Sequence, residues 1–144
     1  MIYFDTSYLL KCYVNEEGAA AVRELYEQSD GVACSLWGRM ELTTALHRKW
    51  RGGLIDQSTF RTHLRQLTRD DESQLWHWYP VTLEQRDRLT EWIRKMPSTL
   101  FLRAGDALHL TCAAEQGYKE IYTGDRHLLA AAKHFGLKGV DVID

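Results

Sequence analysis

The chain has 144 residues, 44% of them hydrophobic and 26% charged, with 18 Lys and Arg against 20 Asp and Glu. That balance excludes a disordered chain, and a net charge of −2 excludes a basic coat over the whole surface while leaving room for local basic patches. Three scattered cysteines, Cys12, Cys34 and Cys112, with no C-x-x-C pair, argue against a disulfide framework and against a zinc site.

Residues 2–4 form the first short apolar run and predict a buried strand. Residues 18–28 place Ala19, Val22, Leu25 and Tyr26 on one helical face. A second strand is predicted over 31–34, followed by helices over 36–50 and 56–69, the latter with Phe60, Leu64 and Leu67 at helical spacing. Residues 75–79, ahead of Pro80, are the weakest strand candidate. Helices over 83–95 and 105–116 follow, the second stopped by Gly117. A strand over 120–123, a helix over 125–135 closed by Gly136, and a strand over 140–143 complete the pattern. Strands alternating with helices predict an α/β class with parallel strands and right-handed crossovers. With only Pro80 and Pro97 as prolines and no linker or repeat, one domain over residues 1–144 is expected. The start lacks a basic leader and no apolar run approaches the ~18–20 residues that cross a bilayer, so the expected location is the cytoplasm.

Ligands of parallel α/β sheets bind beyond the carboxyl ends of the strands. Asp5 follows the first strand in Tyr3-Phe4-Asp5-Thr6-Ser7, and Asp125 follows the fourth in Thr123-Gly124-Asp125. Asp106 opens a helix in Arg103-Ala104-Gly105-Asp106-Ala107-Leu108-His109, and Glu41 lies one to two turns into the helix after the second strand. Each acid alone has a plain explanation: an Asp at a helix start caps free N–H groups, and a Glu on a helix is solvated. Together they would crowd one crevice and raise one another's pKa. One or two Mg²⁺ or Mn²⁺ ions relieve that repulsion, since hard cations suit oxygen ligands, and such a site serves phosphodiester hydrolysis.

The ordered set of segments at Tyr3–Ser7, residues 35–41, 103–109 and 123–125 resembles the PIN-domain ribonucleases, and among them the VapC toxins of toxin–antitoxin pairs. The resemblance implies a central five-stranded parallel sheet of order 3-2-1-4-5 with helices on both faces. It implies an Mg²⁺- or Mn²⁺-dependent endoribonuclease, a VapB-like antitoxin partner, an RNA substrate and a homodimer. Asp5 and Asp106 would be the principal metal ligands, Asp125 a further one, and Glu41 a ligand or the residue that activates water. Thr6 and Thr123 would support these acids. Gly105 and Gly124 depart from the pattern, standing where Ala and Asn are common.

The charge is unevenly placed. Residues 44–70 hold 6 basic and 2 acidic residues, while residues 1–43 hold 3 basic and 7 acidic. Arg61, Arg65 and Arg69 recur every four residues and share a helix face, which suits RNA phosphates, an acidic partner segment or plain solvation. Arg103, three residues before Asp106, could meet the scissile phosphate or pair with a carboxylate. The five Trp suit core packing or stacking on unpaired bases, and His109 is the one histidine close to the proposed site. The alternative is a non-catalytic α/β domain, receiver-like or protein-binding. A receiver would need adjacent acids after the first strand, where Thr6 and Ser7 stand; an aspartyl phosphatase would need an Asp where Ser7 stands; and no phosphate-binding P-loop occurs.

Overall fold

A computed structural model describes residues 1–143. Its elements are β1 (Ile2–Tyr3), α1 (Thr6–Tyr13), α2 (Ala19–Gln28), β2 (Val32–Ser35), α3 (Leu36–Arg51), α4 (Gln57–Glu72) and β3 (Trp76–Tyr79). They continue with α5 (Leu83–Arg94), α6 (Ala104–Glu115), β4 (Glu120–Tyr122), α7 (Arg126–Ala131), a 3₁₀ turn (Ala132–Phe135) and β5 (Lys138–Val140). The class is α/β and the paired strands run parallel. Among the described residues no helix is long and apolar enough to cross a membrane.

The expected single five-stranded sheet is instead two sheets. One has three strands in the order β1-β2-β3, and the other pairs β4 with β5. They meet at one parallel bridge, Phe4 with Tyr122, reinforced by the Asp5 N–H donating to the Tyr122 carbonyl at 3.2 Å. The break has a local cause. β1 is two residues long because Asp5 already caps α1, so the backbone turns into a helix before a ladder with β4 can extend.

Three further differences have similar origins. α1 is absent from the predicted pattern because its buried residues, Tyr8, Leu9 and Leu10, are consecutive and lack helical spacing; the Asp5 side chain starts it by accepting the Tyr8 N–H. The last strand, expected over 140–143, is Lys138–Val140. After it the Asp141 carboxylate accepts from the Tyr8 hydroxyl at 2.7 Å and from the Ile143 N–H at 3.0 Å, pulling the chain off the ladder and onto α1. The helix expected over 125–135 tightens into a 3₁₀ turn at Ala132.

The core gathers Tyr3, Phe4, Leu9, Leu42, Leu46, Leu110, Ile121 and Leu128, all essentially buried. α6 buries Ala107, His109, Leu110, Thr111, Cys112 and Ala113, so it is apolar on nearly every side and runs through the interior. Its first turn therefore emerges from the core beside the strand ends. The cysteines are free thiols, with Cys34 and Cys112 buried. Trp76 is buried, and half-buried Trp50 and Trp92 stack on Phe60 and Phe135, whereas Trp37 is exposed.

A polar tie joins α1, α4 and β3. Buried Asp70 accepts from the Tyr13 hydroxyl and from Gln66, while the Trp76 indole N–H donates to the Tyr13 oxygen at 2.7 Å. Tyr13→Phe leaves the indole N–H unpaired and takes one donor from a buried carboxylate. The expected loss is about 1–3 kcal/mol in urea unfolding, with the unfolding slope unchanged. A loss below ~0.5 kcal/mol would show that the tie contributes little.

Candidate active site

Four acids from four segments line one cavity of about 230 Å³. Asp5, Glu41, Asp106 and Asp125 share it with Thr6, Ser7, Arg48, Arg103 and His109, and Leu10, Ala45 and Leu128 supply an apolar wall. Arg61, Arg65 and Arg69 are exposed on α4 and do not line it. Ser7, Thr44 and Arg48 are polar lining residues to which the sequence pattern gave no part in the site, and His109, noted there only as the nearest histidine, lines it as well.

Three of the acids serve as helix caps. Asp5 caps α1: its Oδ1 accepts from Ser7 Oγ at 2.7 Å and the Tyr8 N–H at 3.2 Å, and its Oδ2 from Thr123 Oγ1 at 2.6 Å. Asp125 caps α7 through Oδ1, which accepts the His127 and Leu128 N–H groups. Asp106 sits at the third position of α6, and its Oδ2 accepts the Arg103 N–H at 3.3 Å. The capping bonds of Asp106 and Asp125 use one oxygen each. Among the described residues the second oxygen of each makes no hydrogen bond, so the plain capping explanation and availability to a ligand coexist in the same side chain. Thr123 links two of the acids, since its hydroxyl donates to Asp5 and accepts the Asp125 N–H at 2.9 Å.

Glu41 is held differently. Its Oε1 accepts from Thr6 Oγ1 at 2.9 Å and pairs with His109 Nε2 at 2.6 Å. The His109 ring is 2% exposed, and its Nδ1 lies 3.1 Å from the Tyr3 hydroxyl, which in turn accepts the Ser35 N–H. Two glycines make room. A Cβ on Gly38 would stand 2.4 Å from Cys34 Sγ and 3.0 Å from His109 Cε1. A Cβ on Gly105 would meet Trp37 Nε1 at 2.9 Å and Glu41 Oε2 at 3.2 Å. The glycine at 105 thus keeps space for Glu41 Oε2 against the start of α6. Gly124 has no such crowding; its N–H donates to Ser7 Oγ at 3.2 Å.

The electrostatics divide the acids. Burial pushes the Asp5 carboxyl up, against the pull of His109 and of the hydroxyls of Thr123 and Ser7. Burial also raises Asp106, opposed by the Arg103 N–H and helped by the charge of Asp125. Glu41 moves the other way: burial would raise it, but the bond and charge of His109, with Thr6, hold it below the usual range. His109 is raised in spite of its burial. The Cys34 sulfur and Glu41 both favour the imidazolium, but burial pushes the Cys34 thiol up and keeps it neutral, which leaves Glu41 as the effective anion.

Among the described residues no group of three or more His, Cys, Asp or Glu closes to metal-holding distance. The donors nonetheless fit a hard divalent cation. They are all carboxylate oxygens around one cavity, two of them are strained toward neutrality, and Mg²⁺ commonly takes only one or two protein carboxylates and keeps waters elsewhere.

Parallel strands feeding acid-capped helices define the class, an α/β protein with one carboxylate-lined pocket at the strand ends. The chain belongs to the PIN-domain family, whose model matches residues 2–134. No curated protein matches the sequence. Among solved structures the fold is similar to Mycobacterium tuberculosis VapC20, a sarcin-ricin-loop-cleaving toxin, with TM-score 0.72 and 17% identity over 91% of this chain and 95% of that one. It is also similar to VapBC2 from Rickettsia felis, bound to a DNA fragment from its promoter, with TM-score 0.68 and 13% identity over 98% of both chains.

Two outcomes check this geometry. Gly38→Ala forces the new methyl against Cys34 and His109, both buried, and is expected to cost about 1–3 kcal/mol in denaturant melts. Asp106→Asn is expected to raise the thermal midpoint of the metal-free protein at neutral pH. The raised carboxyl costs the fold stability once ionised, so the gain shrinks as pH falls through the raised value and vanishes below the ordinary 3.8. A midpoint that drops at neutral pH would contradict the assigned strain.

Proposed function

We propose that this chain is a divalent-metal-dependent endoribonuclease, the toxin of a VapBC-type toxin–antitoxin pair, with one catalytic domain over residues 1–144. The observation that carries the reading is the convergence of Asp5, Glu41, Asp106 and Asp125 on one small cavity at the carboxyl end of the strands. Membership of the PIN family and likeness in fold to two toxin–antitoxin structures support it.

Asp106 and Asp125 would hold Mg²⁺ or Mn²⁺ through the oxygens that their capping bonds leave available, and Asp5 through a remaining lone pair of Oδ2, beside the bond from Thr123. When bound, the ion would neutralise charge on the phosphoryl oxygens of RNA. Glu41 remains ionised beside His109, which engages Oε1, and its Oε2 would take a proton from the attacking water. Thr6 fixes Glu41, and Thr123 fixes Asp5 relative to Asp125. Arg61, Arg65 and Arg69 form an exposed basic face for an acidic antitoxin segment or RNA. A homodimer and a cytoplasmic setting complete the proposal.

One observation favours a second reading, a binding module without catalysis: three of the four acids already have work as helix caps. Three measurements separate the two. Cleavage of RNA should stop with EDTA, return with Mn²⁺, and fall at least about 100-fold in Asp5→Asn and Asp106→Asn. Calorimetry should register Mn²⁺ binding that both variants weaken. Cleavage that persists in EDTA sinks the metal mechanism, and a folded protein that neither binds Mn²⁺ nor cuts RNA is a binding module.

A further inference from the structure

The carboxylates account for the chemistry but not for how a polyanion stays beside them. The basic residues of the chain are sorted by their surroundings. Lys49 and Lys11 are engaged by Glu16, Arg39 by Asp71 at 2.8 Å, and Arg88 by Glu115 at 2.8 Å. The arginines of α4 lie outside the cavity. Two arginines line it, Arg48 and Arg103, and they come from different elements.

Arg48 lies on α3, seven residues beyond Glu41, so two helical turns bring both onto one face with Thr44 and Ala45 between them. It is exposed, and among the described residues it makes no close ion pair, although its charge is one of the causes that hold the Glu41 carboxyl low. Arg103 is the N-cap residue of α6. Its backbone N–H holds Asp106, while its side chain is 70% exposed and only 3.8 Å from Asp106 Oδ2, a loose contact that a better anion can replace. One guanidinium therefore comes from the α3 side of the carboxylates and the other from the entry of α6.

The geometry points to Arg48 and Arg103 as a two-point clamp for the RNA backbone, binding the phosphates that flank the one to be cut. This rests on the nuclease reading above. A polynucleotide suits it because it carries a charge at every nucleotide, so the phosphates on either side of the scissile one can engage the two arginines while that one faces the acids. Guanidinium groups bind phosphate oxygens with paired N–H donors, which fixes orientation as well as position. The clamp also explains how a chain of net charge −2 can hold RNA: the cations that matter are local.

The test uses a single-stranded oligoribonucleotide of about 20 mixed-sequence nucleotides. Steady-state cleavage is measured for the wild type, Arg48→Ala, Arg103→Ala, Arg48→Lys and, as a control outside the cavity, Arg86→Ala. Binding of the same probe is followed across a salt series in an Asp5→Asn background, alone and with each arginine change. Either alanine change should raise KM about ten-fold, with a smaller fall in kcat. Each should lower the slope of log affinity against log salt by about 0.7, the value for one contact to single-stranded phosphate. Arg48→Lys should restore the slope but only part of KM, and Arg86→Ala should change neither. Unchanged KM and slope in Arg48→Ala overturn the clamp even if the protein is a metal-dependent nuclease. If the protein does not cleave, the nuclease reading fails separately, while the binding slopes still decide whether these arginines hold phosphate.

Discussion

Everything around the site depends on one buried imidazole. His109, on α6, sits where β1, the start of α1, β2 and α3 come together, and it faces a side chain from each: Tyr3, Thr6, Cys34 and Glu41. A histidine almost fully out of water is costly unless its ring nitrogens find partners. Here Nδ1 faces Tyr3 and Nε2 faces Glu41 and Thr6, so the partners satisfy the ring and the ring fixes the partners. Glu41 is consequently set by the core rather than by its own helix. The cost is steric: only a glycine at position 38 lets α3 approach that closely.

The acids solve a related problem by doing two things at once. Carboxylates gathered in one place without a cation repel one another, and an unliganded protein must still fold. Hydrogen bonds from helix starts supply partial positive charge to Asp5, Asp106 and Asp125, and His109 supplies a countercharge to Glu41. The site is therefore held in place by the same bonds that begin three helices.

Much of this was legible in the sequence, and the reasons are specific. Asp5, Asp106 and Asp125 stand at boundaries between elements, where strand and helix signals change over, and such boundaries mark the ligand-binding edge of a parallel sheet. Glu41 could be placed by counting turns from the end of β2. What could not be read is what depends on contacts distant in sequence. His109 is separated from Glu41 by 68 residues and from Tyr3 by 106, and nothing local distinguishes it from a packing histidine. Gly105 reads as a departure from its family's pattern until Trp37 and Glu41 are seen pressed against it. Arg48 is hidden within a basic run whose neighbour Lys49 is engaged elsewhere. The split of the sheet is likewise a competition between β1 extending and Asp5 capping, and the pattern of apolar residues is the same for either result.

That split has a mechanical consequence. Asp5 and Glu41 belong to the three-stranded half of the molecule, whereas Asp125 leads out of the two-stranded half, and the backbone joins the halves through little more than the Phe4–Tyr122 bridge. The pocket straddles this seam. Any ligand that engages acids from both halves acts as a rivet, adding its own binding free energy to the cohesion of the fold at the place where strand pairing is thinnest. The seam that leaves the sheet incomplete is also where an occupied site would reinforce it.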